Sequence, residues 1–248
     1  MTAVPGAVEL LPLPSSGRRF STERKVRLSD SSPGGRLRLD AVARYLQDVA
    51  NDDASDVDLP DAMYWIVRRT KIHVTEPAQI HEWVKVTTWC SGHGGRWAER
   101  RTQISGAKGG LIDAVSVWVS VDGDTGAPKR LDHNFYDTWG EASGDRRVKA
   151  RLLHPGPSGE EARSPWVVRY ADLDVVGHVN NAVYWAAVEE QMAAERTGGR
   201  VTAEVEFANG IAPRSEVQIA TAPDGDARRM WFMVGDDVAA SASYVVNR

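Results

Sequence analysis

The sequence predicts an α+β protein made of two tandem copies of one unit, each an antiparallel sheet wrapped around a single helix. Three observations support this. One amphipathic helical stretch begins near Leu39 and a second near Ala182, and four strand-like runs follow each of them. Val26-Arg27-Leu28-Ser29-Asp30 also resembles Val168-Arg169-Tyr170-Ala171-Asp172 at an offset of 142 residues, and Leu39 and Leu46 fall near Val183 and Val188 at similar offsets. A helix with one apolar stripe and a sheet with one apolar face can bury each other, which is the simplest packing for each half. Two such sheets can join edge to edge and hide strands that would otherwise be prone to aggregate.

Taken in order, residues 1–17 hold a short apolar run, VELLPLP, that lacks a basic leader, is broken by proline and is far too short to span a bilayer. It reads as a loose arm. Arg19 to Leu28 reads as a strand, and Asp-Ser-Ser-Pro-Gly-Gly turns the chain over residues 30–35. In the helix that follows, Leu39, Val42, Ala43, Leu46, Val49 and Ala50 recur at offsets of three and four and form one stripe. Strands are expected at Trp65 to Val74, Glu82 to Trp89, Arg96 to Ile104 and Leu111 to Val121. Residues 141–164 combine Gly, Pro and Ser with a basic run and show no sustained period. The pattern then restarts with a strand over Trp166 to Ala171, a turn from Asp172 to Gly177, and a helix capped by Asn180 or Asn181. Tyr184, Ala187, Val188 and Met192 share one face of that helix, and strands follow at Val201 to Phe207, Ser215 to Ala222, Arg228 to Val234 and Ala239 to Val246. The expected organisation is a first unit over residues 18–140, a linker over 141–164 and a second unit over 165–248.

Composition narrows the function classes. With 42% hydrophobic and 26% charged residues in 248, the chain is an ordinary globular one. A formal charge of -4 and a pI near 5.9 give no global basic field, which argues against nucleic acid as the main partner. No apolar run after the arm approaches the roughly 20 residues a membrane helix needs, so a soluble chain is expected. The single cysteine, Cys90, allows no internal disulfide and fits a reducing cytoplasm. His73, His81, His93, His133 and His154 show no metal-ligand spacing. Neither a metal nor a bound cofactor is expected.

The candidate chemistry lies in RYADLDVVGHVNNAVYWAAVEE, Arg169 to Glu190, where polar side chains crowd one loop just ahead of a helix. A helix N-terminus presents unpaired N–H groups and positive partial charge, so a carbonyl placed there is polarised. Asp174 and His178 would stand beside it. By residue type alone, Asp174 could equally cap a turn, His178 could satisfy backbone carbonyls, and Asn180 and Asn181 read more readily as helix caps than as reacting groups.

This stretch resembles the loop and helix start of hotdog-fold thioesterases. Asp174, Gly177, His178, Asn180, Asn181, Tyr184 and Glu190 fall on family positions, both of the single-domain acyl-CoA type represented by 4-hydroxybenzoyl-CoA thioesterases and of the fatty acyl-ACP type. The resemblance to the acyl-ACP type implies a tandem (double) hotdog covering about Phe20 to Val246. It also implies that Asp174 acts as general base or nucleophile and that His178 holds a water, orients Asp174 or polarises the thioester. Gly177, Val179, Asn180 and Asn181 would bind substrate, with backbone N–H groups after Gly177 as the preferred oxyanion donors. The first loop has Asp30 but no His or Asn pair after it, so the first unit is expected to be a non-catalytic, substrate-binding copy.

The sequence departs from the acyl-ACP pattern in two places. Val176 stands where that family has Asn, and a further acid with a neighbouring Cys would fall near Gly210 and Ile211. The reading is therefore a thioesterase releasing fatty acid from acyl-ACP, with two alternatives: an acyl-CoA thioesterase, or a non-catalytic protein that binds or senses acyl thioesters. Arg146, Arg147, Lys149 and Arg151 form the densest basic run and are the candidate dock for an acidic carrier protein. Tryptophans, among them Trp65, Trp89, Trp97 and Trp118, could line an acyl tunnel, although aromatic residues on strands are more often plain core. The oligomeric state is open, a homodimer included.

Overall fold

The computed structural model describes residues 11–57, 64–195 and 199–247. Ten strands form one antiparallel sheet: β1 (Arg19–Lys25), β2 (Tyr64–Glu76), β3 (Trp83–His93), β4 (Trp97–Gly106), β5 (Leu111–Val121), β6 (Ala162–Trp166), β7 (Val201–Phe207), β8 (Val217–Asp224), β9 (Ala227–Val234) and β10 (Asp237–Val246). Their order is β1-β3-β4-β5-β2-β7-β10-β9-β8-β6. Each half reads the same outward from the centre, so β2 and β7 are counterparts that pair with each other, from Arg69 opposite Glu206 to Val74 opposite Val201. That pairing removes one edge from each half. The outer edges that remain are guarded: β1 is a short charged strand, and β6 carries Pro165, which offers no donor to an incoming strand.

Two long helices, α1 (Leu39–Ser55) and α2 (Asn181–Ala194), lie on one face of this sheet and touch each other. In α1 the predicted stripe is buried through Leu39, Val42, Ala43, Leu46 and Val49, and in α2 Tyr184, Ala187, Val188 and Met192 are buried as expected. Trp185 is buried beside them, so α2 shows a wider apolar face than α1. Alternate strand residues complete one continuous core, with Ile72, Ala114, Ala203, Val205 and Ala242 from four central strands facing the helices.

The strand expected at Arg19 to Leu28 stops early, at Lys25, and the one expected at Trp166 to Ala171 lies instead at Ala162–Trp166, so that β6 begins inside the expected linker; each is followed by a 3-10 turn, Leu28–Asp30 and Tyr170–Asp172. The cause is local: the Asp30 carboxylate accepts from the Arg27 N–H (3.0 Å), and the Asp172 carboxylate from the Arg169 N–H (2.8 Å). An aspartate reaching back three residues satisfies the turn and closes it against further extension.

After β5 an irregular helical stretch, residues 133–143, buries Phe135 and Trp139 against Cys90, Ala98 and Leu131. The chain then crosses the face of the sheet opposite the helices. Val148 is held by the His93 carbonyl and, through its own carbonyl, by the Trp97 indole N–H. The Leu153 and His154 N–H groups both donate to buried Glu206, and Trp231 donates to the Pro155 carbonyl. The stretch lacks periodicity because its hydrogen bonds go to the sheet beneath it rather than to itself. The expected arm over residues 1–17 falls largely outside the described residues, which begin at Leu11.

Candidate active site

The two loops that lead into α1 and α2 are the same object with different side chains. In the second, Asp174 N–H donates to the His178 carbonyl (2.9 Å), Gly177 N–H to the Asp174 carbonyl (3.0 Å) and Asn180 N–H to the Asp172 carbonyl (2.8 Å). In the first, the same bonds join Ser32 to Arg36 (2.8 Å), Gly35 to Ser32 (2.8 Å) and Arg38 to Asp30 (3.0 Å). Gly177 and Gly35, at φ of 78° and 85°, occupy the same left-handed position, where a side chain would strain the turn. The offset of 142 therefore holds residue by residue: Asp172 matches Asp30, Asp174 matches Ser32, His178 matches Arg36, and Asn181 matches Leu39. Asp30 is thus no copy of Asp174. It is buried, accepts the Tyr45 hydroxyl at 2.8 Å, and does the structural work that Asp172 does in the other half.

Asp174 is half-buried, and one carboxylate oxygen accepts the Val176 N–H at 3.0 Å. His178 is exposed, and its ring lies against Gly210, where an added Cβ would sit 3.0 Å from two ring carbons. The position near which the acyl-ACP pattern would put an acid is therefore taken up by the histidine ring. Among the described residues no hydrogen bond joins the Asp174 carboxylate to the His178 ring. Behind them burial pushes the Tyr184 phenol up, a backbone hydrogen bond with Ile211 opposes this, and the nearby Asp174 carboxylate adds to the rise. In Asp172 burial is outweighed by the Arg169 guanidinium at 2.7 Å, which holds the carboxyl below its usual range.

The loop spends most of its amides on itself. The Gly177, Val179 and Asn180 N–H groups are all bonded, Val179 to the Ile211 carbonyl at 3.0 Å. Asn180 is the N-cap, its Oδ1 accepting from the Ala182 N–H at 2.9 Å. Among the described residues, the N–H groups of His178 and Asn181 are the ones after Gly177 and before Ala182 that have no partner.

Asn181 also lines a small, partly open cleft where the two halves meet. Its walls come from Leu46 and Gln47 of α1, Thr70 of β2, Trp118 of β5, and Trp185 of α2. Asp174 and His178 stand on the turn leading to this cleft, outside its wall. The Trp118 indole nitrogen is buried and, among the described residues, has no hydrogen-bond partner. At the corresponding place in the first half there is a plug. The Glu189 carboxylate accepts the Leu39 N–H at 2.7 Å and takes both arms of Arg36 at 2.8 and 2.7 Å.

The sequence from 17 to 139 matches the model of the acyl-ACP thioesterase N-terminal domain, and residues 157–239 match that of the C-terminal domain. The chain belongs to the acyl-ACP thioesterase family. It is accordingly a thioester hydrolase, of a family whose substrates are acyl-ACP or acyl-CoA thioesters. An uncharacterized Mycobacterium tuberculosis protein is 33% identical to this thioesterase over 235 residues, 94% of each chain. Two solved structures share its fold. An acyl-ACP thioesterase from Bacteroides thetaiotaomicron is 17% identical with a TM-score of 0.78, covering 92% of this chain and 98% of that one. The 12:0-ACP thioesterase from Umbellularia californica is 20% identical with a TM-score of 0.76, covering 97% and 99%. The double hotdog architecture follows. Among the described residues no helix of the thioesterase is long and apolar enough to cross a membrane.

Sequence reasoning passed over Gln47, whose place in the cleft wall comes from the first half. A signal was available: carried along the helices, the offset of 142 pairs Gln47 with Glu189, a neutral residue where its counterpart is a carboxylate. Trp118 does line the cleft. Trp89 is buried, and Trp65 packs against the smaller cluster around Phe135.

Proposed function

We propose that this thioesterase hydrolyses fatty acyl-ACP to free fatty acid and carrier, using the loop of the second half. The observation that supports this best is the contrast between the two helix starts: the Leu39 amide is sealed by Glu189, whereas among the described residues the Asn181 amide has no partner, and Asn181 lines the cleft. In this reading the first half shapes the cleft and does no chemistry. Asp174 takes a proton from water as the hydroxide adds to the thioester carbonyl, or adds to it directly. Charge that builds on the carbonyl oxygen is met by free amide hydrogens and by the positive end of α2. The carbon–sulfur bond then breaks, and His178, exposed at the mouth of the loop, supplies a proton to the departing thiolate and regains one from solvent; where Asp174 has added directly, water then hydrolyses the resulting anhydride to free the fatty acid and the carboxylate. Cys90 being the sole cysteine, a reducing cytoplasm and a role in fatty acid synthesis fit the same reading.

The sequence Asp-Val-Val-Gly-His in the loop favours a second reading, acyl-CoA as substrate, because it resembles the single-domain enzymes more closely. The test is a matched panel of acyl-ACP and acyl-CoA thioesters with free thiol followed directly. A higher kcat/KM for ACP at equal chain length is expected, and equal or higher values for CoA would overturn the carrier assignment. Asp174→Asn should keep the fold and lower turnover at least about a hundredfold, as the loss of a positioned base or nucleophile does. An unchanged rate in the folded variant removes Asp174 from the reaction.

A further inference from the structure

We infer that Gln47, on the helix of the first half, holds the thioester carbonyl in the second half's site together with the Asn181 amide. The inference rests on the reading just given, and deepens it by assigning a substrate contact to the half that carries no catalytic loop. Its basis is the internal symmetry. In the first half Glu189 reaches from α2 to the start of α1 and puts a carboxylate oxygen 2.7 Å from the Leu39 N–H. Under the same offset Leu39 corresponds to Asn181 and Glu189 to Gln47. The side chain that reaches from α1 toward the start of α2 is therefore Gln47, and the two do line one cleft.

The chemistry at the two ends differs in the way a substrate site requires. A carboxylate at a helix start is an oxygen that fills the place of an incoming oxygen, and Arg36 neutralises it. Gln47 carries no charge, and among the described residues its side chain makes no hydrogen bond to the protein. Arg36 is replaced by His178, which leaves no guanidinium to occupy the space. The second half thus keeps the helix-start N–H of the first and lacks its plug. A primary amide has two N–H groups to offer, so Nε2 of Gln47 and the Asn181 N–H can hold one carbonyl oxygen from two sides.

The test compares Gln47→Ala and Gln47→Glu with the parent enzyme in hydrolysis of one acyl-ACP, alongside binding of an acyl-pantetheine ketone analogue in which CH2 replaces sulfur. Gln47→Ala should lower kcat by about 100- to 1,000-fold, as the loss of one oxyanion donor does, with KM within a few fold and an unchanged melting curve. Gln47→Glu, nearly the same size, should do worse than alanine and weaken analogue binding at least about tenfold, because its carboxylate can take the Asn181 amide as Glu189 takes that of Leu39. A purely structural glutamine would alter the melting curve and leave kcat untouched. Unchanged kcat in Gln47→Ala, or equal analogue binding by Gln47→Glu and the parent, overturns the inference. If Asp174→Asn is inactive while both Gln47 variants are normal, the proposed function stands and this assignment alone falls. If the parent hydrolyses no acyl-ACP, the function reading fails and the analogue binding still decides the role of Gln47.

Discussion

Glu189→Ala should cost about 3 kcal/mol of stability, near the lower end of the range for breaking a buried ion pair from one side. The carboxylate is 8% exposed and Arg36 19%, so neither is in free contact with water, and their two hydrogen bonds are 2.8 and 2.7 Å long. Those bonds, outweighing burial, raise the Arg36 pKa above its ordinary value; without them the guanidinium, too basic to lose its proton, is left charged and half-buried. The Leu39 N–H, in addition, loses the oxygen that caps α1. Partial access of Arg36 to water keeps the estimate from the top of the range. For a chain of this size about 3 kcal/mol corresponds to a fall in melting temperature of roughly 6–12 °C. The assay is thermal and urea unfolding of the parent, Glu189→Ala, Arg36→Met and the double variant. The double should lose less than the sum of the singles, since no charge is then left unpaired. A loss below about 1 kcal/mol in Glu189→Ala, or strict additivity in the cycle, would refute the view that this pair seals the first half.

Other outcomes follow from the same geometry. Ser32→Ala, at the true counterpart of Asp174, should leave turnover within a few fold, whereas Asp30→Asn should lower stability by about 1–3 kcal/mol through the Tyr45 and Arg27 bonds it weakens; urea titration with activity on the same samples separates the two, and a stable Asp30→Asn protein would contradict the buried role. In the basic run Arg146 is turned inward, 2.6 Å from Glu99, while Arg147, Lys149 and Arg151 are exposed. Replacing those three with Gln should raise KM for acyl-ACP and flatten its salt dependence with little change for a short acyl-CoA, since exposed charges steer over a Debye length of about 10 Å at 0.1 M salt; equal effects on both substrates would deny them the carrier. Burial lowers the His154 pKa despite the opposing Glu206 carboxylate, so its neutral form is the one the fold prefers. Its contribution is present above the ordinary histidine pKa of about 6.5 and is lost as pH falls from there through the lower folded value, and His154→Gln should make stability less sensitive to pH in that window. An identical pH profile in that variant would show that another group controls it.

Most of the architecture follows from residue patterns alone. Helical and alternating periods report which face of an element is buried, and burial is what the sheet and helices trade, so α1, α2 and strands such as Leu111–Val121 and Val201–Phe207 fall where the pattern puts them. The family resemblance is equally local, because the loop from Arg169 to Asn181 makes most of its hydrogen bonds within itself and keeps its shape in either half. The end of β1 at Lys25 and of β6 at Trp166 was written in the sequence too, as aspartates three residues beyond Arg27 and Arg169, but a turn closed by a side chain looks like a strand to any test of alternation. Only the tertiary structure decided which of two equal loops faces an open cleft. That depends on Glu189 meeting Arg36 across 153 positions and on Gln47 standing where a second carboxylate would have closed the other end. Periodicity describes each helix against its own axis; what one helix offers to the start of another is fixed by how the two halves pack.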